Sequence, residues 1–327
     1  MLRTIIKILI AILFSLIVLM AFDQLLQLGF RKSTEEVSGK MNVLMIDSTR
    51  FDVLCLGSSR ALAHLDARLI TERTGMKVYN GGVNGARVAS MKILLKAYLK
   101  AHPAPRFLVL HIDDFTLETD QMLELPHYLP FLSDPEIRER VFVIEPDLRY
   151  LTYLPFFRIF YYDDLKKWIA VKSLLGLGEN SADENAGYVN LADSGWNDYW
   201  ESQYEQRMKT VQQPFDSVGN FQDGLRMMEE VLDLADEKNI KVVFTSSPVI
   251  GGASFPKYET CISMIERLTA DRGTPYLFFW NHGLELNRKE YYYDLVHMVR
   301  KGAQRYSAEL SDTMCKADPT GCQKSGK

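Results

Sequence analysis

The chain reads as an α/β protein built on a parallel sheet, preceded by an apolar helix and interrupted by a largely helical insertion. Three observations predict this. Short apolar runs alternate with helical spacings over residues 53–112, the same rhythm returns over 225–310, and a continuous apolar stretch, 5–22, precedes both. Strand, helix and strand in succession imply parallel strands joined by right-handed crossovers.

The apolar stretch is broken only by Lys7 and Ser15. A helix rising ~1.5 Å per residue needs about 20 residues to cross a bilayer core, and Leu25, Leu26 and Leu28 extend the run past Asp23. A cleaved signal peptide and a buried helix are the alternatives. The run ends Leu19-Met20-Ala21-Phe22, without the small-x-small pattern of a cleavage site, so an uncleaved transmembrane anchor over 1–30 is expected. Arg3, Lys7 and the amino terminus favour a cytoplasmic N-terminus, leaving the remainder extracytoplasmic, in the periplasm or at the cell surface. Arg31 and Lys32 pull weakly the other way, and a polar stalk follows over 31–50.

Val53-Leu54-Cys55-Leu56 is a buried strand ending at Gly57. Asp66 can cap a helix through Leu69 and Ile70 that stops at Gly75. Residues 76–79 form a short strand, followed by a Gly- and Asn-rich loop over 80–87. Val88, Met91, Leu95, Tyr98 and Leu99 keep helical spacing until Pro103, and 107–112 is a third strand. In the second half, Leu225, Met228, Leu232 and Ala235 form a helical stripe, and 240–245 is a strand. Cys261, Ile265 and Leu268 mark a helix, 276–279 a strand and 302–310 a final helix, with a polar tail over 311–327. The sheet domain thus runs over 51–310 with an insertion at about 117–223. That insertion is crowded with aromatics (Tyr153, Phe156, Phe157, Phe160, Tyr161, Tyr162) and then turns polar around Trp196 and Trp200. It reads as a helical subdomain packed on the sheet, a lid over a substrate site, or a surface resting on the membrane or a partner.

At 47% hydrophobic and 24% charged, the 327 residues have ordinary globular composition, which excludes disorder and low complexity. A formal charge of -4, from 38 basic and 42 acidic residues, leaves no basic excess for a nucleic acid partner. Four cysteines are too few for a disulfide scaffold, and none are spaced C-x-x-C. Cys315 and Cys322 flank a short polar loop and can close a disulfide in an oxidising compartment. Cys55 and Cys261 read as core residues.

Gly57-Ser58-Ser59 follows the first strand directly. Serine is common in turns because it bonds its own backbone; a second signal, Asp294-Leu295-Val296-His297, gives this one chemical meaning. A serine hydroxyl becomes a nucleophile when an imidazole takes its proton, and the imidazole needs a carboxylate to hold its tautomer. A third signal is Asn80-Gly81-Gly82-Val83-Asn84-Gly85, whose glycines let backbone N–H groups approach a ligand and stabilise an oxyanion. Ser59, Gly85 and His297 each fall just beyond the carboxyl end of a strand, the edge where open α/β sheets place ligands. His64, His102, His111, His127 and His282 lack metal-ligand spacing, so structural or surface roles, no metal and no cofactor are expected. Arg60 and Arg87 flank two of the loops and read as solvated loop arginines, with binding of an anionic substrate as the alternative.

Leu56-Gly57-Ser58-Ser59-Arg60 resembles the first block of the SGNH (GDSL-like) hydrolase superfamily, with Ser59 in the nucleophile position. The segment from Asn80 to Gly85 looks like its second block, whose glycine donates to the oxyanion. Asp294-Leu295-Val296-His297, followed by Lys301-Gly302-Ala303, is similar to the D-x-x-H block and the helix entry after it. The resemblance covers roughly 51–115 and 225–310 and implies a flavodoxin-like three-layer parallel sheet and a Ser59-His297-Asp294 triad. The third block departs from the pattern: where the family carries an oxyanion-donating Asn, this chain has His111-Ile112-Asp113-Asp114. An ionised carboxylate cannot donate, so either Asn84 substitutes or the hole relies on the N–H groups of Ser59 and Gly85. Similar loss of that Asn occurs in membrane-anchored branches resembling the D-alanyl transfer proteins of teichoic acids and the alginate O-acetylation proteins. The resemblance therefore implies an esterase or O-acyltransferase using an acyl donor and a glycan or polymer acceptor, with a membrane-bound O-acyltransferase as partner. The other reading is a decayed, non-catalytic binding or scaffold subunit of an envelope assembly.

Overall fold

The computed structural model describes residues 1–118, 124–180, 185–191, 196–210, 221–250, 256–280, 285–286 and 288–322. The chain divides into two compact units: unit 1 comprises Met1–Asn42 and Leu125–Ala182, unit 2 Val43–Glu124 and Asp183–Lys327. The expected insertion is thereby split, residues 125–182 belonging with the N-terminal helix and its two ends with the sheet.

Unit 1 is helical among its described residues. Helix α1 spans Leu2–Lys32, longer than the apolar run that predicts it, and α2 (Glu36–Met45) occupies half of the expected stalk, the division between units falling inside it. The first stretch of α1 is exposed along its whole length, whereas Asp23, Leu26, Gln27, Gly29 and Phe30 are buried. This end packs on a 3-10 segment (Pro155–Tyr161) and on a helix spanning Asp164–Leu174. Contact is closest at Gly29, where a Cβ would lie 2.2 Å from the Ala170 carbonyl oxygen. The aromatic-rich sequence supplies the packing: the Phe30 and Tyr162 rings meet at a tilt with centroids 4.4 Å apart, and Tyr162 donates to Gln27 Oε1 at 2.9 Å.

Unit 2 holds the sheet. Its strands β1 (Val53–Leu56), β2 (Val78–Asn80), β3 (Phe107–His111), β4 (Lys241–Thr245) and β5 (Leu277–Phe279) are all parallel, in the order β2-β1-β3-β4-β5. Continuous apolar runs such as Val53-Leu54-Cys55-Leu56 suit strands buried on both faces, and β1 and β3 are buried throughout. The connecting helices form two packed groups. Helices α3 (Ser59–His64) and α4 (Ala67–Thr74) pack on the C-terminal helix Arg300–Ala317, while α5 (Val88–Ala101) packs on Gln222–Glu237. Two groups of helices are what crossovers of one hand produce when the strand order reverses between β1 and β3.

The local signals act as their chemistry dictates. Asp66 caps α4 by accepting from Leu69 N–H at 3.1 Å, and Gly75 closes it with a left-handed φ of 73°. The final helix continues to Ala317, past the expected end at residue 310, because Tyr306, Leu310 and Met314 keep one buried face. Cys315 and Cys322 are bridged, with Cα atoms 5.4 Å apart. Cys55 and Cys261 are buried free thiols, and burial pushes both up to about 12.

Candidate active site

The turn after β1 is built by serine chemistry. Ser58 caps α3, its Oγ accepting from Arg60 N–H at 3.2 Å, so Ser59 becomes the first helical residue with its side chain half-buried at the carboxyl edge of the sheet. Gly57 is required here, since a Cβ would meet Ala61 Cβ at 2.7 Å and His111 Cβ at 2.8 Å.

Asp294 performs two tasks in the second turn. Its Oδ1 accepts from the N–H groups of Val296 and His297, each at 2.8 Å, folding the segment into an Asx-type turn. Tyr293 N–H donates to the His297 carbonyl at 2.8 Å and closes the turn. Oδ2 then lies 2.7 Å from His297 Nδ1. An ionised carboxylate only accepts, so Nδ1 carries the imidazole proton and Nε2 is left bare. That bare nitrogen lies 2.8 Å from Ser59 Oγ. Burial alone would raise the Asp294 carboxyl; the hydrogen bond and charge of His297 and the two turn N–H groups outweigh it and hold it below the usual carboxylate value. The structure therefore brings hydroxyl, base and orienting carboxylate together across 238 positions of sequence. Nucleophile, general base and orienter need this arrangement.

No known protein family matches the chain, and no curated protein does.

The glycine loop after β2 lies against the same edge. Gly81 N–H donates to the Cys55 carbonyl at 2.8 Å and Val83 N–H to that of Gly57 at 3.0 Å. Asn80 fastens the loop from below, donating to the carbonyls of Ala61 and Leu65 at 2.8 Å each and accepting from Gly82 N–H at 2.9 Å. Gly85 adopts a left-handed φ of 63°. Among the described residues, the N–H groups of Ser59 and Gly85 have no internal acceptor. Asn84 is exposed, and its amide donates to Glu124 Oε1 at 3.2 Å.

Two expectations are corrected. Arg60 is a buried residue, not a solvated one: its Nη1 pairs with Asp113 Oδ1 at 2.6 Å, and its Nη2 bonds the carbonyl and hydroxyl of Ser247. Arg87 is likewise mostly buried and pairs with Glu118 at 2.8 Å. In each case a carboxylate on a neighbouring segment keeps the guanidinium out of water.

Sequence reasoning missed the polar network around Arg60. Asp113 is fully buried and accepts from Ser58 Oγ as well as Arg60. Ser247, after β4, has its hydroxyl 2.6 Å from His64 Nδ1 and 2.9 Å from His111 Nε2. Backbone donors settle the tautomers. Met298 N–H donates to His64 Nε2 at 2.8 Å and Ser247 N–H to His111 Nε2 at 3.1 Å, so each neutral ring carries its proton on Nδ1. His64 thus donates to Ser247 while accepting from the residue beside His297. Burial, then the charge of Arg60, push His64 well below the ordinary histidine value. Burial pushes His111 down as well, though Asp113 opposes it. For Asp113 burial acts upward, but the Arg60 charge, His111 and Ser58 hold the carboxyl far below its usual range. The available signal was His111-x-Asp113 and Ser246-Ser247 just past two further parallel strands, on the edge that carries Ser59. His282, expected to be structural or surface-exposed, lies outside the described residues, and among those described no group of His, Cys, Asp and Glu could hold a metal.

Proposed function

We propose that the chain is a membrane-anchored, extracytoplasmic serine esterase or O-acyltransferase of SGNH type, acting on acyl groups of a glycan or other surface polymer. The observation that carries this reading is the continuous hydrogen-bonded chain from Ser59 Oγ through His297 to Asp294. Ser59 Oγ attacks the acyl carbonyl while its proton passes to His297 Nε2. Asp294 stabilises the resulting imidazolium through Nδ1–H. The oxyanion is held by the N–H groups of Ser59 and Gly85. Collapse returns the proton from His297 to the departing alcohol and leaves acyl-Ser59, which passes to a sugar hydroxyl or to water with His297 again as base. Support for the location is twofold. Leu2–Lys32 has a mean hydropathy of 2.9 over its most apolar window, none of it buried. The Cys315–Cys322 disulfide fits an oxidising compartment. In the transfer reading, a membrane-bound O-acyltransferase supplies the acyl group.

The test is acyl release from p-nitrophenyl acetate together with covalent labelling by a fluorophosphonate. Wild type reacts at Ser59 and the Ser59→Ala variant, melting as wild type does, loses both; unchanged release in that variant removes Ser59 as nucleophile. One observation favours the second reading, a non-catalytic envelope subunit: where the family carries a donor Asn this chain has His111-Ile112-Asp113-Asp114, and the oxygens of Asp113 are committed to Arg60 and Ser58. Failure of the wild-type protein to label decides for it.

A further inference from the structure

Unit 1 contains a cavity that acyl chemistry at Ser59 does not use. It encloses about 210 Å³ and is lined by Arg31, Arg138 and Arg158 together with Gln24, Ser133 and Thr152. The balance of charge is what marks it. Arg158 is paired with buried Asp23 at 2.5 Å. Among the described residues neither Arg31 nor Arg138 has a carboxylate partner. Arg31 places Nε and Nη2 on the Pro130 carbonyl at 2.8 and 2.5 Å and reaches Ser133 Oγ at 3.0 Å; Arg138 gives Nη1 to the Leu132 carbonyl at 3.2 Å. Carbonyl bonds fix a guanidinium without neutralising it. The wall thus carries three cations against one anion, and such an excess around a small recess attracts an anion.

Geometry narrows the ligand. The guanidinium N–H groups not spent on carbonyls, Arg31 Nη1 and Arg138 Nε and Nη2, are donors suited to the oxygens of phosphate. Pockets for drug-sized molecules run to about 300–1,000 Å³, so this one admits a compact group. Position says where such a group comes from. Gln24, Gln27 and Arg31 line the cavity from one face of α1, directly after Phe22 ends the apolar run. At ~1.5 Å per residue they lie about 3–13 Å beyond that run, across the headgroup layer that flanks a bilayer core. Tyr153, 85% exposed, and Leu154, 43% exposed, sit between the lining residues Thr152 and Pro155, as apolar and aromatic contacts at a lipid interface would.

We propose that this cavity binds a phosphate group, carried by a lipid headgroup or by a soluble phosphate compound. The site is independent of the Ser59 reading, and only its lipid source leans on the membrane anchor. The experiment is calorimetric titration of the full chain, in uncharged maltoside micelles, with inorganic phosphate and with dihexanoyl phosphatidic acid. Arg31→Gln and Arg138→Gln, singly and together, are compared with wild type; Arg158 is left in place because its loss strands Asp23. Wild type should bind, and the double variant should bind at least about tenfold more weakly. Tighter binding of the lipid than of phosphate assigns a headgroup; equal binding assigns a soluble phosphate compound. Should the double variant melt early, Arg138→Gln alone serves, since it breaks one carbonyl bond at a partly exposed side chain. No heat with either probe at millimolar concentration, or equal affinity in wild type and folded variants, overturns the site. Fluorophosphonate labelling reports on Ser59 alone, so loss of one reading leaves the other standing.

Discussion

Replacing Asp113 by Asn tests whether the buried Arg60–Asp113 pair is what holds the carboxyl edge of the sheet together. The substitution keeps shape and removes the charge. Arg60 then remains buried without its ion-pair partner, because its other hydrogen bonds go to the neutral carbonyls of Ser247 and Pro248 and the Ser247 hydroxyl, leaving only the weaker charge of Asp114 acting on it. Breaking a buried pair from one side costs about 3–5 kcal/mol. In a domain of about 150–250 residues, which includes unit 2, each kcal/mol moves the melting temperature by about 2–4 °C, so a fall of about 6–20 °C is expected. Arg60→Met combined with Asp113→Asn should recover much of that loss, since no charge is then stranded. The pH dependence has a definite sign. The folded carboxyl is held below its unfolded value, so between the two values the unfolded chain binds more protons and stability rises with pH. The pair's contribution is complete above about pH 4 and is lost as pH falls from there toward the folded value. Differential scanning calorimetry of wild type and both variants from neutral pH downward measures this. A melting temperature for Asp113→Asn within about 2 °C of wild type, or an unchanged acid slope, refutes the reasoning.

Asp294→Asn should leave the fold intact, since an amide oxygen can still accept the Val296 and His297 N–H groups, but its Nδ2 facing His297 forces the other tautomer; release of p-nitrophenol should drop by about 10²–10⁴-fold. His64→Leu strands the Met298 N–H and should cost about 1–3 kcal/mol by thermal melting, whereas His64→Gln keeps an acceptor and should lose less. Because His64 is held well below its ordinary value, wild type should lose stability as pH falls below about 6.5, and His64→Gln should show a smaller loss, the remainder coming from His111, which burial also pushes down. Cys315→Ser opens a loop closed across a sequence separation of 7, which the chain-entropy estimate values at about 2.5 kcal/mol, a fall of about 5–10 °C that reductant should reproduce in wild type.

Elements that carry their own punctuation were legible before any coordinates. Asp66 and Gly75 bracket α4, Pro103 marks the end of α5, and Val53 to Leu56 is apolar at every position because both its faces are covered. The Ser59–His297–Asp294 contact was legible in part for a similar reason: Ser59 follows a turn signal at the end of β1, and Asp294 is close enough in sequence to be tied to His297 without long-range knowledge, although His297 itself lies well past the end of β5. Partnerships made only by folding were not legible. Arg60 beside Ser59 looks solvated in sequence, and nothing local says that Asp113, 53 positions away, will neutralise it or that Ser247 will receive its second nitrogen. The division of the insertion escaped for the same reason, since it depends on which of its aromatics meet α1. Phe30 finds Tyr162 through tertiary packing alone.

The distribution of buried polar groups bears on whether the site is active or decayed. A serine turn that no longer performs chemistry is under no constraint to keep its imidazole in one tautomer, yet here Asp294 Oδ2 does so while Oδ1 holds the turn that carries the ring. The scaffold behind the triad is as exacting. Ser58, Arg60, Asp113, Ser247 and His64 tie the ends of β1, β3 and β4 to the backbone of Met298, the residue after the base. Buried hydrogen bonds of this kind fix a local geometry, although among the described residues Arg60 Nε and His111 Nδ1 are buried without a hydrogen-bond partner. Asp113 anchors the helix that starts at Ser59 and, as a carboxylate, cannot donate, so on the proposed reading an oxyanion would be held by backbone N–H groups. Those of Ser59 and Gly85 have no internal acceptor among the described residues. On the proposed reading, an acyl-enzyme would depend on where its backbone is held more than on any donor side chain. The substitutions that should harm it most, after the triad itself, are therefore those that loosen the network behind Ser59 and His297.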